Sequence, residues 1–180
     1  MPDDDKEDNM NVLILNGSPR PNGNTAALAN LFAEEAKAAG HKVKLISIGS
    51  KDIRGCKNCD ACRTALSGKC VQKDDMQQVL PLMGECEVLV LASPIYYYSM
   101  TGQMHCALER CYSYERLPKL KKAALILTAD VCGFTSAKQT YQNAVIRHMG
   151  AQDLGMVTAA GNQRRSASTA AEIRALVKKI

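Results

Sequence analysis

Four cysteines stand close together, Cys56, Cys59, Cys62 and Cys70, in the pattern Cys-x2-Cys-x2-Cys-x7-Cys. Thiolates at this spacing can wrap one metal centre, either a cubane [4Fe-4S] cluster or a tetrahedral zinc. Successive two-residue gaps suit a cluster better, because zinc sites usually come as two separated pairs. Free redox thiols or a disulfide are equally open readings of these four residues. The remaining cysteines (Cys86, Cys106, Cys111 and Cys132) are spread along the chain and read as small buried hydrophobes, with Cys132 as the exception.

A second cluster of chemistry is the run Gly17-Ser18-Pro19-Arg20-Pro21-Asn22-Gly23-Asn24-Thr25. Gly17 and Gly23 permit tight backbone turns. Ser18, Asn22, Asn24 and Thr25 offer short hydrogen-bonding side chains, and Arg20 a fixed cationic fork. If a helix begins at Thr25, its free N–H groups and partial positive charge complete a cradle for one compact dianion, such as a terminal phosphate. No Lys precedes Thr25, so this is not a triphosphate-binding loop of Walker type, and no G-x-G-x-x-G fingerprint for a pyrophosphate is present.

These residues need a scaffold, and the pattern of the chain supplies one. Apolar runs at Asn11–Asn16, Lys42–Ile48, Glu87–Ala92, Ala123–Thr128 and Gln152–Ala159 read as strands. Between and after them, Thr25–Ala39, Asp74–Gly84, Gly102–Cys111, Ser136–Met149 and Ser166–Ile180 read as helices. Pro81 is expected to bend or end its helix, and Ser166 or Ser168 to cap the last one. Strict alternation with strands apolar on both faces predicts an α/β fold: a doubly wound, five-stranded parallel sheet with helices on both faces. The expected organisation is a disordered acidic tail at 1–10 and a single domain at 11–180, with a cysteine-rich insertion at 49–73. In such sheets ligands sit beyond the carboxyl ends of the strands, so the loops after strands one, three and four carry the information.

The loop after strand three is Ser93-Pro94-Ile95-Tyr96-Tyr97-Tyr98-Ser99-Met100. Three consecutive tyrosines on a loop cannot all enter one core, and their faces suit a flat heteroaromatic ring. Three segments, NVLILNGSPRPNGNT, the cysteine segment ending in GKCVQKDDM, and LASPIYYYSMTGQMHCALERCY, resemble the NADPH-dependent FMN reductase family of flavodoxin-like flavoproteins. The resemblance runs in register from residue 11 to about 112. It implies a flavodoxin-like sheet of order 2-1-3-4-5, with 11–180 as a single FMN-binding domain that holds FMN non-covalently, with NAD(P)H as co-substrate, in homodimers or homotetramers. It implies that Ser18, Arg20, Asn24 and Thr25, with Asn22 and Gly23 of the same loop, hold the FMN phosphate. Pro94, Ile95, Tyr96 and Tyr97 would border the isoalloxazine ring, and Ala129, Asp130, Cys132 and Gly133 would form a third flavin loop. The cysteine segment is similar to the compact motif of the iron–sulfur flavoproteins, a branch of the same superfamily.

The expected activity is electron transfer from reduced nicotinamide through FMN to a small acceptor such as a quinone or free flavin. Catalysis would be flavin-based, for no Ser-His-acid or paired-carboxylate arrangement is present. The alternatives are an iron–sulfur flavoprotein or a flavodoxin-like electron carrier serving protein partners. The chain has 180 residues, 46% hydrophobic and 23% charged, with a net charge of +5, which suits a single globular core. Residues 1–8 hold five acids and one base, so the body is more basic still and favours anionic ligands. Its bases are scattered rather than run together, which argues against a nucleic-acid partner. No apolar run approaches a membrane span. The acidic, polar start MPDDDKEDNM is unlike a secretory signal, and reduced cysteines suit a cytoplasmic location.

Overall fold

Five short apolar runs extend into strands: β1 (Asn11–Asn16), β2 (Lys42–Ser47), β3 (Val88–Pro94), β4 (Lys122–Ala129) and β5 (Gln152–Ala160). They are seen in a computed structural model that describes residues 9–66 and 68–180; the acidic stretch 1–8 lies outside the described residues. The strands pair in parallel in the order β2-β1-β3-β4-β5. This is the doubly wound sheet that the alternation predicts, in the flavodoxin-like order that the resemblance implies.

Side chains of period two divide between the faces of the sheet. Leu13, Leu15, Leu89, Leu91, Leu125 and Leu127 pack on one side against α3 (Met76–Glu85), α4 (Gly102–Arg110) and α5 (Thr135–Tyr141). Val12, Ile14, Val88, Val90 and Ile126 pack on the other against α1 (Asn24–Ala38) and α6 (Ala167–Val177). Every residue of β3 is buried, as expected for the middle of a two-sided sheet. Because β2 lies on one side of β1 and β3 on the other, the loops leaving β1 and β3 diverge and open a crevice between them.

Three local features differ from the sequence expectation. Pro81 lies inside α3, which continues to Glu85. The ring sits on the exposed side, while Met76, Val79, Leu80 and Met83 bury the opposite face and hold the turn despite the lost N–H. The helix expected over Ser136–Met149 is α-helical only to Tyr141 and then widens into a π-helix, Gln142–His148. Buried Tyr141, Val145 and Met149 recur every four residues, so the wider turn keeps all three on the core side. Within the cysteine segment, α2 (Ala61–Thr64) forms one helical turn. The last helix is capped by Ser166, whose side chain accepts from the Thr169 N–H at 3.1 Å.

Candidate functional site

The loop between β1 and α1 is folded by its own polar groups. Asn16, buried at the end of β1, accepts the Ser18 N–H through its side-chain oxygen at 3.0 Å. Its carbonyl accepts the N–H groups of Ile48 and Gly49 at 2.8 and 3.2 Å. The Ser18 hydroxyl accepts the Arg20 N–H at 3.2 Å, and the Arg20 carbonyl accepts the Gly23 N–H at 3.1 Å. Gly23 precedes α1 with extended backbone and, being glycine, supplies no side-chain cap. The opening N–H groups of α1 therefore point out of the helix with no intrahelical acceptor and no capping side chain. Unpaired N–H groups of this kind are what an anion at a helix start would use.

Two glycines make the loop fit. A Cβ on Gly17 would stand 2.7 Å from the Thr101 hydroxyl, at the start of α4. A Cβ on Gly49 would stand 2.3 Å from the Ser18 carbonyl carbon and 2.5 Å from both the Gly17 oxygen and the Pro19 nitrogen. Backbone thus passes against backbone where β2 ends, beneath the loop. Gly49 was not legible in the sequence as part of this site, since only the sheet pairing brings it there.

A cavity of about 600 Å³ opens on this loop and reaches three strand ends, a size suited to a cofactor. Ser18, Arg20, Asn22, Gly23, Asn24 and Thr25 line it from the first loop, Pro94, Ile95 and Tyr96 from the second, and Ala129 and Asp130 from the third. Thr128, Arg164 and Arg165 line it as well, and the sequence reading missed all three. The Thr128 hydroxyl lies 2.7 Å from that of Thr25, both buried, so Thr25 ties α1 to β4. Arg164 and Arg165 sit in a 3-10 turn, Gly161–Arg165, after β5. Arg165 donates to the Asn24 side chain at 2.9 Å, and Arg164 pairs with Asp130. With Arg20 they make the rim strongly cationic, with one carboxylate facing them.

The tyrosine loop is a tight turn. Tyr96 and Ser99 exchange backbone hydrogen bonds at 2.9 and 3.2 Å, and both central residues, Tyr97 and Tyr98, have left-handed φ, 49° and 67°. Two consecutive tyrosines in that region make a strained turn. The turn throws Tyr97 outward, 97% exposed and beyond the cavity lining. Cys132 is exposed, and neither it nor Gly133 lines the cavity; Gly133 packs against the Tyr98 ring.

The cysteine segment packs over α4. Cys56 and Cys59 are exposed, Cys62 buried and Cys70 half-buried, and all four are free thiols. Burial raises the Cys62 pKa, and charge on Cys70, Cys56 and Cys59 acts in the same direction. The Asn58 N–H donates to the Cys56 sulfur at 3.4 Å, and the Cys56 N–H donates to Glu109 at 3.1 Å. Asp60 accepts from the Tyr112 hydroxyl at 2.8 Å while Arg63 stacks 4.0 Å above that ring, which pins α2 to the end of α4. Among the described residues no three Cys, His, Asp or Glu side chains converge as a formed metal centre.

The two ends of this segment rest on a buried polar base. Arg110, 2% exposed, donates from Nη1 to the Arg54 carbonyl at 3.0 Å and to Asp74 at 2.6 Å. Asp74 also accepts the Arg54 and Met76 N–H groups. Gln72 donates to the Gly55 carbonyl at 2.9 Å. Burial opposes the Arg110 charge, but Asp74 and the adjacent Cys70 thiol outweigh it and raise its pKa. Burial likewise works against the Asp74 charge, yet its hydrogen bonds from Arg110 and Arg54 hold the carboxyl below its usual value.

Several known proteins are similar to this chain. An iron–sulfur flavoprotein of Archaeoglobus fulgidus is 32% identical over 155 residues, covering 84% of this chain and 69% of the relative. A second from the same organism is 40% identical over 101 residues, 56% of this chain and 48% of that one. The chain thus spans from about half to about two thirds of the length of these relatives. The solved structure of RosB with a bound riboflavin-phosphate intermediate superposes with a TM-score of 0.75 at 19% identity, over 94% of this chain and 76% of RosB, and shares the fold. The family model for NADPH-dependent FMN reductases matches residues 10–166, all three strand-end loops included, and the chain belongs to that family.

Proposed function

We propose that this protein is an FMN-dependent NAD(P)H oxidoreductase that passes electrons to a small acceptor such as a quinone or free flavin. One observation carries the reading: loops from three strand ends, an uncapped helix N-terminus and three arginines line a single cavity of cofactor size. The residues fit FMN by their chemistry. The opening N–H groups of α1, with Ser18, Asn22, Asn24 and Arg20, receive the phosphate. Thr25, bonded to Thr128, sets the helix start at the right distance from β4. Pro94, Ile95 and Tyr96 offer an apolar wall and backbone groups to the ring, with Ala129 and Asp130 opposite. Bound there, FMN supplies the hydride and electron chemistry that no side chain in the cavity has. Arg164 provides positive charge on the third-loop side, where it favours an anionic reduced ring. A homodimer or homotetramer belongs to the same reading, with exposed Tyr97, Tyr98 and Val131 beside the cavity as apolar contact surface. No described helix is long and apolar enough to cross a membrane, and free thiols suit a cytoplasmic location.

A second reading adds a cluster. The motif Cys56, Cys59, Cys62 and Cys70, all free thiols, and the iron–sulfur flavoproteins among the relatives favour a centre ligated by these four, which would have to draw together to hold it. Such a centre would serve one-electron exchange, which a protein partner rather than a small acceptor can use. Absorbance of protein purified without oxygen tests both. Flavin bands are expected, and iron with acid-labile sulfide would add broad brown absorbance. A colourless protein that takes up no FMN would refute the first reading, and a yellow, iron-free protein the second.

A further inference from the structure

Arg20 and Arg165 line the cavity at the strand ends, and neither has a counter-charge. Among the described residues the Arg20 guanidinium makes no hydrogen bond or ion pair. Arg165 uses only Nε, which donates to the Asn24 side chain at 2.9 Å, so the edge formed by its two Nη groups is free. Arg164, the third arginine of the lining, is engaged by the Gly161 carbonyl at 2.7 Å and by Asp130. Two unpaired cations therefore remain on one cavity wall, a charge that an anion in the cavity would neutralise. Arg165 is also held in place. It ends the turn Gly161–Arg165, in which the Gln163 carbonyl accepts the Ser166 N–H at 3.0 Å and the Thr169 hydroxyl at 2.8 Å. Its acceptor, Asn24, is the first residue of α1, so the bond sets the guanidinium beside the start of that helix.

We propose that Arg165 is a second cationic ligand of the flavin phosphate, partnered with Arg20, and that it makes the site select FMN over riboflavin. The inference rests on the FMN reading above and deepens it. A phosphate monoester carries about two negative charges at neutral pH, and two guanidinium groups from separate loops match that charge. Arg20 belongs to the loop after β1 and Arg165 to the turn after β5, so the phosphate would join the first and last parts of the sheet. A guanidinium edge with two parallel N–H groups fits two phosphate oxygens, and with Nε on Asn24 the Nη edge of Arg165 is the one that serves. Asn24 acts as the positioning residue: its oxygen accepts from Arg165, and its amide nitrogen, which donates to no described residue, is left for the same phosphate. Riboflavin has no phosphate and would leave both cations without a counter-charge.

The test titrates FMN and riboflavin into apoprotein of wild type, Arg165→Gln and Arg165→Lys, followed by quenching of flavin fluorescence. A thermal melt of each apoprotein checks that it is folded. Arg165→Gln is expected to raise the FMN dissociation constant about tenfold or more, the loss of one charge-assisted pair, and to leave that of riboflavin within about threefold. Arg165→Lys keeps the charge without the fork, and its FMN affinity is expected to fall between the other two. Should riboflavin bind none of the three measurably, this partial recovery carries the decision. An FMN affinity unchanged in Arg165→Gln, an equal loss for both flavins, or no recovery in Arg165→Lys overturns the inference and leaves the FMN reading standing. An effect confined to the KM for NADPH over that for NADH would assign Arg165 to the nicotinamide nucleotide and overturns it as well. Wild type that binds riboflavin as tightly as FMN overturns the phosphate recognition itself, and wild type that binds neither flavin overturns the FMN reading with it.

Discussion

Gly49→Ala is the most informative single perturbation, because it touches neither ligand nor cavity. The added methyl carbon would lie 2.3 Å from the Ser18 carbonyl carbon, against 3.4 Å for ordinary contact, and its neighbours at 2.5 Å are also backbone atoms. No side chain can swing aside, so the Gly17–Pro19 backbone must retreat by about 1 Å. Overpacking of this kind costs about 1–3 kcal/mol of stability. The same retreat misaligns the N–H groups meant for the phosphate, because such bonds weaken quickly outside their narrow distance range. Losing two charge-assisted bonds, about 1.5–3 kcal/mol each, raises the FMN dissociation constant about 100-fold or more. Fluorescence quenching of free FMN by apoprotein measures it, alongside a thermal melt. Gly102→Ala is the control, since its Cβ would meet nothing within 4 Å. If Gly49→Ala binds FMN within threefold of wild type while remaining folded, the phosphate is not held by this loop.

Three further expectations follow from single interactions. Thr25→Val leaves the buried Thr128 hydroxyl without its 2.7 Å partner and should destabilise the protein by about 1–3 kcal/mol, read by denaturant unfolding; an unchanged midpoint would show that the pair contributes nothing. The Asp74 carboxyl is held below its usual pKa, so its stabilisation is fully present above the ordinary carboxylate range and is lost as pH falls through the depressed value. The acid-unfolding midpoint should therefore move to higher pH in the Arg110→Lys/Asp74→Asn variant, whereas an unmoved midpoint would deny Asp74 that role. Burial pushes the Cys86 and Cys111 thiols up to about 12, so iodoacetamide at pH 8 should label exposed Cys132 in native protein and spare those two; labelling of Cys86 or Cys111 at a comparable rate would contradict their burial.

What could be read from the sequence was local. The strands announce themselves by apolar runs, and β1 occupies the expected residues Asn11–Asn16. The first loop is recognisable because Gly, Ser, Asn and Arg crowd ahead of a helix, and Tyr96 because it follows a buried strand. The unread residues depend on distance in the chain. Thr128 meets Thr25 across 103 positions and Arg165 meets Asn24 across 141, contacts that only the closed sheet creates. Arg110 looks like one more helical cation by its spacing; its burial follows from the cysteine segment folding over it. The exit of Tyr97 from the cavity comes from two left-handed residues in succession, which tyrosine rarely adopts and no propensity signals.

The central claim is that reduced nicotinamide delivers its electrons to FMN in this cavity. Anaerobic rapid mixing of FMN-loaded protein with excess NADPH, and separately NADH, followed in the visible flavin band, tests it most directly. The account predicts that at least one nucleotide bleaches the band, that the rate saturates with its concentration, and that a quinone added afterwards restores the colour. A flavin that stays oxidised with both nucleotides, in protein that demonstrably binds FMN, would contradict it.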